Sequence, residues 1–225
     1  MHVLITNFNQ SPTIGLYGFA NDKFCLVGKG FNKKIKKMEE VLKVPCYEIS
    51  ILKSDLIGAF VNGNNDFLIV PELEDNELKE LSEICKKHDV KLIVFPTKLN
   101  ALGNNIVIGK RTILVNPEFS NDEIKKLKES TGYNIEPVAI NEINAIGSVI
   151  KTNSKGALVG FIAESMQDFL EHNLGLKVTL GSVLNGSPYV SAAVIVNSNG
   201  FIASENNTGI ELGIIDEAFG FVNND

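Results

Sequence analysis

The chain has 225 residues, an apolar fraction of 44% and a formal charge of −6, values typical of a folded globular protein. Arg111 is the only arginine. That excludes a general nucleic-acid binder, which depends on excess positive charge and on arginine for bidentate contacts.

In chain order, His2-Val3-Leu4-Ile5-Thr6-Asn7-Phe8 predicts a short strand. An aliphatic residue followed by Gly comes next, at Ile14-Gly15. The pair returns at Ile57-Gly58, Leu102-Gly103 and Ile146-Gly147, and in degraded form at Val190-Ser191. The steps between second residues are 43, 45, 44 and 44 (15 to 58, 58 to 103, 103 to 147, 147 to 191). A constant period of that size marks a repeat architecture. In each unit the pair is expected to open a strand, as in Gly58-Ala59-Phe60-Val61. A polar turn follows, such as Asn62-Gly63-Asn64-Asn65, Asn153-Ser154-Lys155-Gly156 or Asn197-Ser198-Asn199-Gly200. Its Asn-Gly and Ser-Lys-Gly elements are expected to supply the positive φ of tight hairpins. Second strands come after: Phe24–Val27, Phe67–Val70, Thr112–Val115, Ala157–Val159 and Phe201–Ala203.

A helix then follows in every unit. Leu78, Leu81, Ile84 and Cys85 form one stripe at helical spacing, as do Ile35, Met38, Val41 and Leu42. Unit three has Ile124 and Leu127, unit four Met166, Phe169 and Leu170, unit five Leu212, Ile215 and Phe219. Capping boxes open two of these helices, Ser120 to Glu123 and Thr208 to Glu211. Each helix has a single apolar face, so each lies on a sheet. Third strands close units one to four, at Tyr47–Ile51, Lys91–Phe95, Ile135–Ile140 and Lys177–Leu180.

Unit five lacks a third strand. The N-terminal residues 2–8 supply it most economically, which closes a linear array into a ring and leaves no terminal unit uncovered. The predicted fold is therefore α/β: a single closed ring of five modules around a pseudo-fivefold axis, with first strands inside and helices outside. The modules run over about 11–52, 53–96, 97–140, 141–183 and 184–225, with 2–8 completing the last. A monomer is expected.

The ordered motifs resemble the translation initiation factor 6 family, the archaeal and eukaryotic ribosome anti-association factors of the pentein fold. They include Lys98-Leu99-Asn100-Ala101-Leu102-Gly103-Asn104, Ile57-Gly58 with Leu68-Ile69-Val70-Pro71, and Ile146-Gly147-Ser148 with Asn153-Ser154-Lys155-Gly156. Gly181-Ser182-Val183, Asn207-Thr208-Gly209-Ile210-Glu211-Leu212 and Ile215-Asp216-Glu217-Ala218-Phe219 complete the set. Aliphatic-Gly alone is common; the set in order across all five units is specific. The resemblance implies a factor that sits on the intersubunit face of the large ribosomal subunit. There it would contact a conserved ribosomal protein beside the sarcin–ricin loop, with rRNA nearby, and block small-subunit joining sterically. It also implies that Asn104 belongs to the docking surface. Equivalence of position adds Asn100, Ala59, Ser148, Val149 and Ala192. Asn104→Ala combined with Ala59→Glu is expected to weaken docking with the fold intact.

An enzyme of the same fold is the alternative, attacking a guanidinium carbon with a Cys assisted by His and carboxylates. The catalytic Cys of such enzymes comes late in the chain, whereas Cys25, Cys46 and Cys85 all come early. Their spacing fits reduced thiols. His2, His88 and His172 read as terminal, helix-end and helix-surface residues. The acidic run Glu72, Glu74, Asp75 and Glu77 occupies a helix start, where carboxylates meet free N–H groups. No phosphate-binding motif, metal or cofactor is expected. No apolar run reaches membrane-span length and the N-terminus lacks the basic start of a signal peptide, so a cytoplasmic location is expected.

Overall fold

The computed structural model describes residues 2–222, apart from the Asn32 side chain. Its strands are β1 (Val3–Thr6), β2 (Gly18–Ala20), β3 (Cys25–Gly28), β4 (Cys46–Ile49), β5 (Asn62–Gly63), β6 (Phe67–Val70), β7 (Lys91–Val94) and β8 (Ile106–Ile108). They continue with β9 (Thr112–Val115), β10 (Asn134–Pro137), β11 (Ile150–Thr152), β12 (Gly156–Gly160), β13 (Lys177–Gly181), β14 (Val194–Val196) and β15 (Phe201–Ser204). These form five three-stranded sheets. In each of the first four modules the inner strand runs antiparallel to the middle one, which runs parallel to the outer one, as in β2-β3-β4. A parallel pair needs a crossover, and helices Ile35–Leu42, Asp75–Lys87, Asn121–Thr131 and Gln167–Leu174 provide it.

The fifth module is completed from the other terminus. β1 lies parallel to β15, Val3 opposite Phe201 and Thr6 opposite Ser204. The closure extends beyond the strands, with Phe201 N–H donating to His2 O at 2.8 Å and Glu205 N–H to Thr6 O at 3.1 Å. Nearby, His2 Nε2 meets Asp216 Oδ1 on helix Gly209–Ala218 at 2.7 Å. The ring and its closing strand agree with the sequence reading.

Middle strands read as unbroken apolar runs because both of their faces are covered. Leu26 enters the wedge shared with the second module, alongside Leu68 and Val70. Its neighbours Cys25 and Val27 enter the wedge shared with the fifth, alongside Ile195 and Ile202. Phe67 and Ile69 meet Ile113 and Val115; Leu114 meets Ala157 and Val159; Leu158 meets Phe201 and Ala203. The core is thus five wedges between neighbouring modules, and the two-residue period of a strand allots its side chains to one wedge or the next.

Two sequence expectations fail. The aliphatic-Gly pairs do not open strands. They sit in short helical turns, Ile14–Tyr17, Ile57–Phe60, Leu102–Asn105, Ile146–Ser148 and Val190–Ala193, and the inner strands start only afterwards. Crowding at the axis is the reason. A Cβ on Gly58 would lie 2.0 Å from Gly15 O, on Gly103 2.0 Å from Gly58 O, and on Gly147 2.3 Å from Gly103 O. A local turn satisfies its own N–H groups, as when Val61 N–H donates to Ile57 O, and offers only its compact glycine backbone to the next module. Ser191 stands in the fifth glycine's place. Its buried hydroxyl donates to Gly147 O at 2.5 Å or Ile150 O at 2.8 Å. Ser191→Ala is expected to destabilise the ring by about 1–2 kcal/mol in a urea titration, because those buried carbonyls lose their donor.

The polar turns also differ. Asn62–Asn65, Asn153–Gly156 and Asn197–Gly200 contain no residue with positive φ. Asparagine side chains close them instead: Asn153 Oδ1 accepts from Lys155 and Gly156 N–H, and Asn197 Oδ1 from Asn199 and Gly200 N–H. The spare amide N–H groups tie module to module, Asn153 to Asn197 O, Asn197 to Asn21 O and Asn21 to Asn64 O. Left-handed pairs lie at the opposite end, at Asn9-Gln10, Leu52-Lys53, Asn141-Glu142 and Leu184-Asn185, just before the helical turns. Two of these are held by buried glutamates of the next helix. Glu77 accepts from Leu52 and Lys53 N–H, and Glu211 from Asn185 and Gly186 N–H.

Candidate functional site

The residues directly after the five axial positions are Leu16, Ala59, Asn104, Ser148 and Ala192. Each holds the same place in its helical turn, so together they surround the axis at one end of the ring. Four of them come from the sequence reading. Leu16 was missed, although it stands one repeat before Ala59 and the period alone locates it.

Asn104 is half-buried, and its amide makes no hydrogen bond to another described residue. Asn100, just before the same turn, is exposed and its side chain likewise has no partner among the described residues. The adjacent Asn105 behaves oppositely. It is buried, donates to Ala101 O at 2.9 Å and accepts from Asn116 Nδ2 at 2.7 Å. Of two consecutive asparagines, one locks the turn and the other, half-buried where the turn borders the axial cavity, keeps a side-chain amide with no partner among the described residues. A polar group left unpaired by its own protein is ready for a partner's hydrogen bond. The Asn105–Asn116 lock escaped the sequence reading, since it joins the helical turn of the third module to the end of that module's own middle strand and nothing local marks it.

The remaining candidates divide by burial. Ser148 is half-buried and its hydroxyl donates to Ala145 O at 2.6 Å; Ala192 is half-buried. Ala59 is only 7% exposed, and Val149 is fully buried among Ile146, Ile150 and Val159. Their side chains face neighbouring protein in this structure. Ala59→Glu would therefore test the fold rather than docking, which corrects the expectation that it leaves the fold intact. At the rim of the same end, Gly160 packs on Pro188 O and brings exposed Phe161 and Tyr189 close by. Lys53 pairs with Glu74 at 2.6 Å, which raises its pKa.

The thiols sit away from histidine nitrogens. Among the described residues no hydrogen bond joins a cysteine sulfur to a histidine; His2 meets Asp216, and His88 Nε2 meets Tyr47 Oη at 2.8 Å. Cys25 and Cys46 are direct partners across β3 and β4, a proximity that their spacing in sequence does not reveal. Contact with Cys46 and burial push the Cys25 thiol well up, and burial pushes Cys85 to about 11. Raised values disfavour the thiolate, the form that acts as a nucleophile.

Residues 3–218 match the family model described as the eIF-6 family. The chain belongs to the eIF-6 family. Translation initiation factor 6 of Pyrococcus abyssi is 34% identical, over 99% of this chain and 100% of its own length. The factor of the same name from Saccharolobus islandicus is 30% identical, over 93% of this chain and 95% of its own. Among solved structures, the amidinotransferase SxtG from Microseira wollei superposes with a TM-score of 0.52 at 11% identity, covering 75% of this chain and 61% of that one. At that identity the likeness concerns the fold, a pentein ring of five modules. The family relation makes the chain a translation initiation factor, as its ordered motifs suggested.

Proposed function

We propose that this family member docks on the intersubunit face of the large ribosomal subunit through the end of the ring that carries Asn104 and Asn100. Docking there prevents small-subunit joining by occupying space. The contact is chiefly with a ribosomal protein beside the sarcin–ricin loop, with rRNA as neighbour. The factor acts as a monomer in the cytoplasm and performs no covalent chemistry. The observation that carries this reading is the pair of side-chain amides without partners among the described residues, one on the turn that also supplies the Asn105 lock and one just before it. That turn is tied down by the Asn105 hydrogen bonds to Ala101 O and Asn116, which lowers the ordering entropy that opposes binding. Phe161 and Tyr189 extend the surface with apolar area suited to a protein partner. The net charge of −6 and single arginine favour protein over RNA as the main contact.

The test is co-sedimentation of purified protein with cognate large subunits, alongside light scattering of subunit joining. Asn104→Ala with Asn100→Ala is expected to weaken co-sedimentation about tenfold while leaving the unfolding midpoint unchanged, the size of loss seen when a polar hot spot is truncated. Wild-type protein that neither sediments with large subunits nor blocks joining would overturn the assignment. Unchanged binding by the double variant would move the docking surface elsewhere on the ring.

A further inference from the structure

Behind the helical turns lies a cavity of about 40 Å³ on the axis, lined by Gly15, Gly58, Gly103, Gly147 and Ser191, and by Lys151 from β11. It shares Ala20, Gly63, Ile108, Thr152 and Val196 with a wider vestibule of about 200 Å³ between the asparagine turns at the other end. Positions equivalent to Lys151, four residues after each axial position, hold Phe19, Asn62, Val107 and Ile195. Packing at this level of the ring therefore does not require a cation. Lys151 nonetheless makes no ion pair or hydrogen bond to another described residue. Its side chain is half-buried against the cavity, and an ammonium, which carries three donors, is costly to hold there without an acceptor.

We propose that the axial cavity binds a small oxyanion of formate or bicarbonate size, held by the Lys151 ammonium. Size selects the class. One water needs roughly 10–15 Å³ of such space, so the cavity takes about three non-hydrogen atoms and is tight for tetrahedral phosphate or sulfate. Charge selects the sign. Burial lowers the Lys151 pKa to about 8, and the Cys25 thiol that faces it stays protonated at neutral pH. The carboxylates along the route are at the vestibule, where Asp22 is held by Asn65 and Ser198 and Asp66 lies exposed. Neither neutralises the amine, and Asp22 and Asp66 disfavour larger, multiply charged anions at the entrance.

Selective ¹³C-lysine labelling, read by NMR across pH 6–11 (about the range in which lysines titrate), tests this on the full chain. Sodium formate is compared with sodium sulfate at equal ionic strength. Formate is expected to raise the Lys151 pKa saturably by about 1, because the anion binds only the charged form. Sulfate should leave it in place, and so should formate for every other lysine. Formate should also raise the thermal midpoint of wild-type protein but not of Lys151→Met. A Lys151 pKa indifferent to formate, or moved equally by sulfate, would overturn the proposal. Because the wild-type titration needs no variant, a poorly folding Lys151→Met leaves the test intact.

Discussion

Gly103→Ala is expected to abolish folding of the ring, read as loss of soluble protein or of a cooperative urea transition. The added methyl would lie 2.0 Å from Gly58 O and 3.0 Å from both Gly58 C and Val61 O. All three are backbone atoms, so no side chain can rotate away. Nor can the Ile57–Phe60 turn retreat, because Gly58 is itself pressed on Gly15 O at a virtual 2.0 Å. In an open array such strain would dissipate at an end, but closure by β1 leaves no end. A cost beyond about 4 kcal/mol is expected, a large part of the stability of an ordinary domain. Gly213→Ala is the control. It lies in helix Gly209–Ala218 with nothing within 4 Å of the new methyl. Removing backbone freedom there should stabilise the protein by about 0.5–1 kcal/mol. If Gly103→Ala unfolds at the same urea concentration as Gly213→Ala, the account of the axis is wrong.

Glu211→Ala is expected to cost about 3 kcal/mol, because four donors at the protein surface share its buried carboxylate as their acceptor. The Glu211 carboxylate receives Thr208 N–H at 2.8 Å, Gly186 N–H at 2.8 Å, Ser182 Oγ–H at 2.9 Å and Asn185 N–H at 3.2 Å. It thus caps its own helix and holds the left-handed turn at Leu184-Asn185, where the fifth module begins. Burial by itself would raise its pKa, but these hydrogen bonds outweigh burial and bring it below the ordinary 4.5. The sign follows. Its contribution is fully present above the ordinary value and is lost as pH falls through the lower, folded-state value. The gap in unfolding free energy between wild type and Glu211→Gln should therefore be constant near neutral pH and narrow below about pH 4.5. Subtracting the variant removes the parallel titration of Asp22 and Glu123, whose hydrogen bonds also lower their pKa values against burial. A gap independent of pH would show that charge at Glu211 is immaterial.

The docking candidates show how far local pattern reaches. The family resemblance named Asn104 and equivalence of position added Asn100; the first is half-buried and the second exposed. Ala59 and Val149 were placed by the same rule and turned out buried. Equivalence in a repeat fixes the backbone position, whereas exposure depends on the size of neighbours contributed by another module. The left-handed turns were missed for a related reason. Leu52-Lys53 has no glycine, and what stabilises it is Glu77, more than twenty residues on.

Amino-acid order alone determined the fivefold period, the five outer helices and the borrowed N-terminal strand. The helices depend on apolar spacing and caps within about ten positions, the period on a pair that returns every 43 to 45 residues, and the borrowed strand on the need to cover every sheet. Only the tertiary structure decided that the glycines make helical turns, which of two adjacent asparagines finds partners, and that the Lys151 ammonium lines the axial cavity without one among the described residues. The glycine and lysine outcomes arise where segments some 44 residues apart converge on one axis and the nearest atoms belong to another module, whereas the asparagine outcome depends on Asn116 at the far end of the same hairpin.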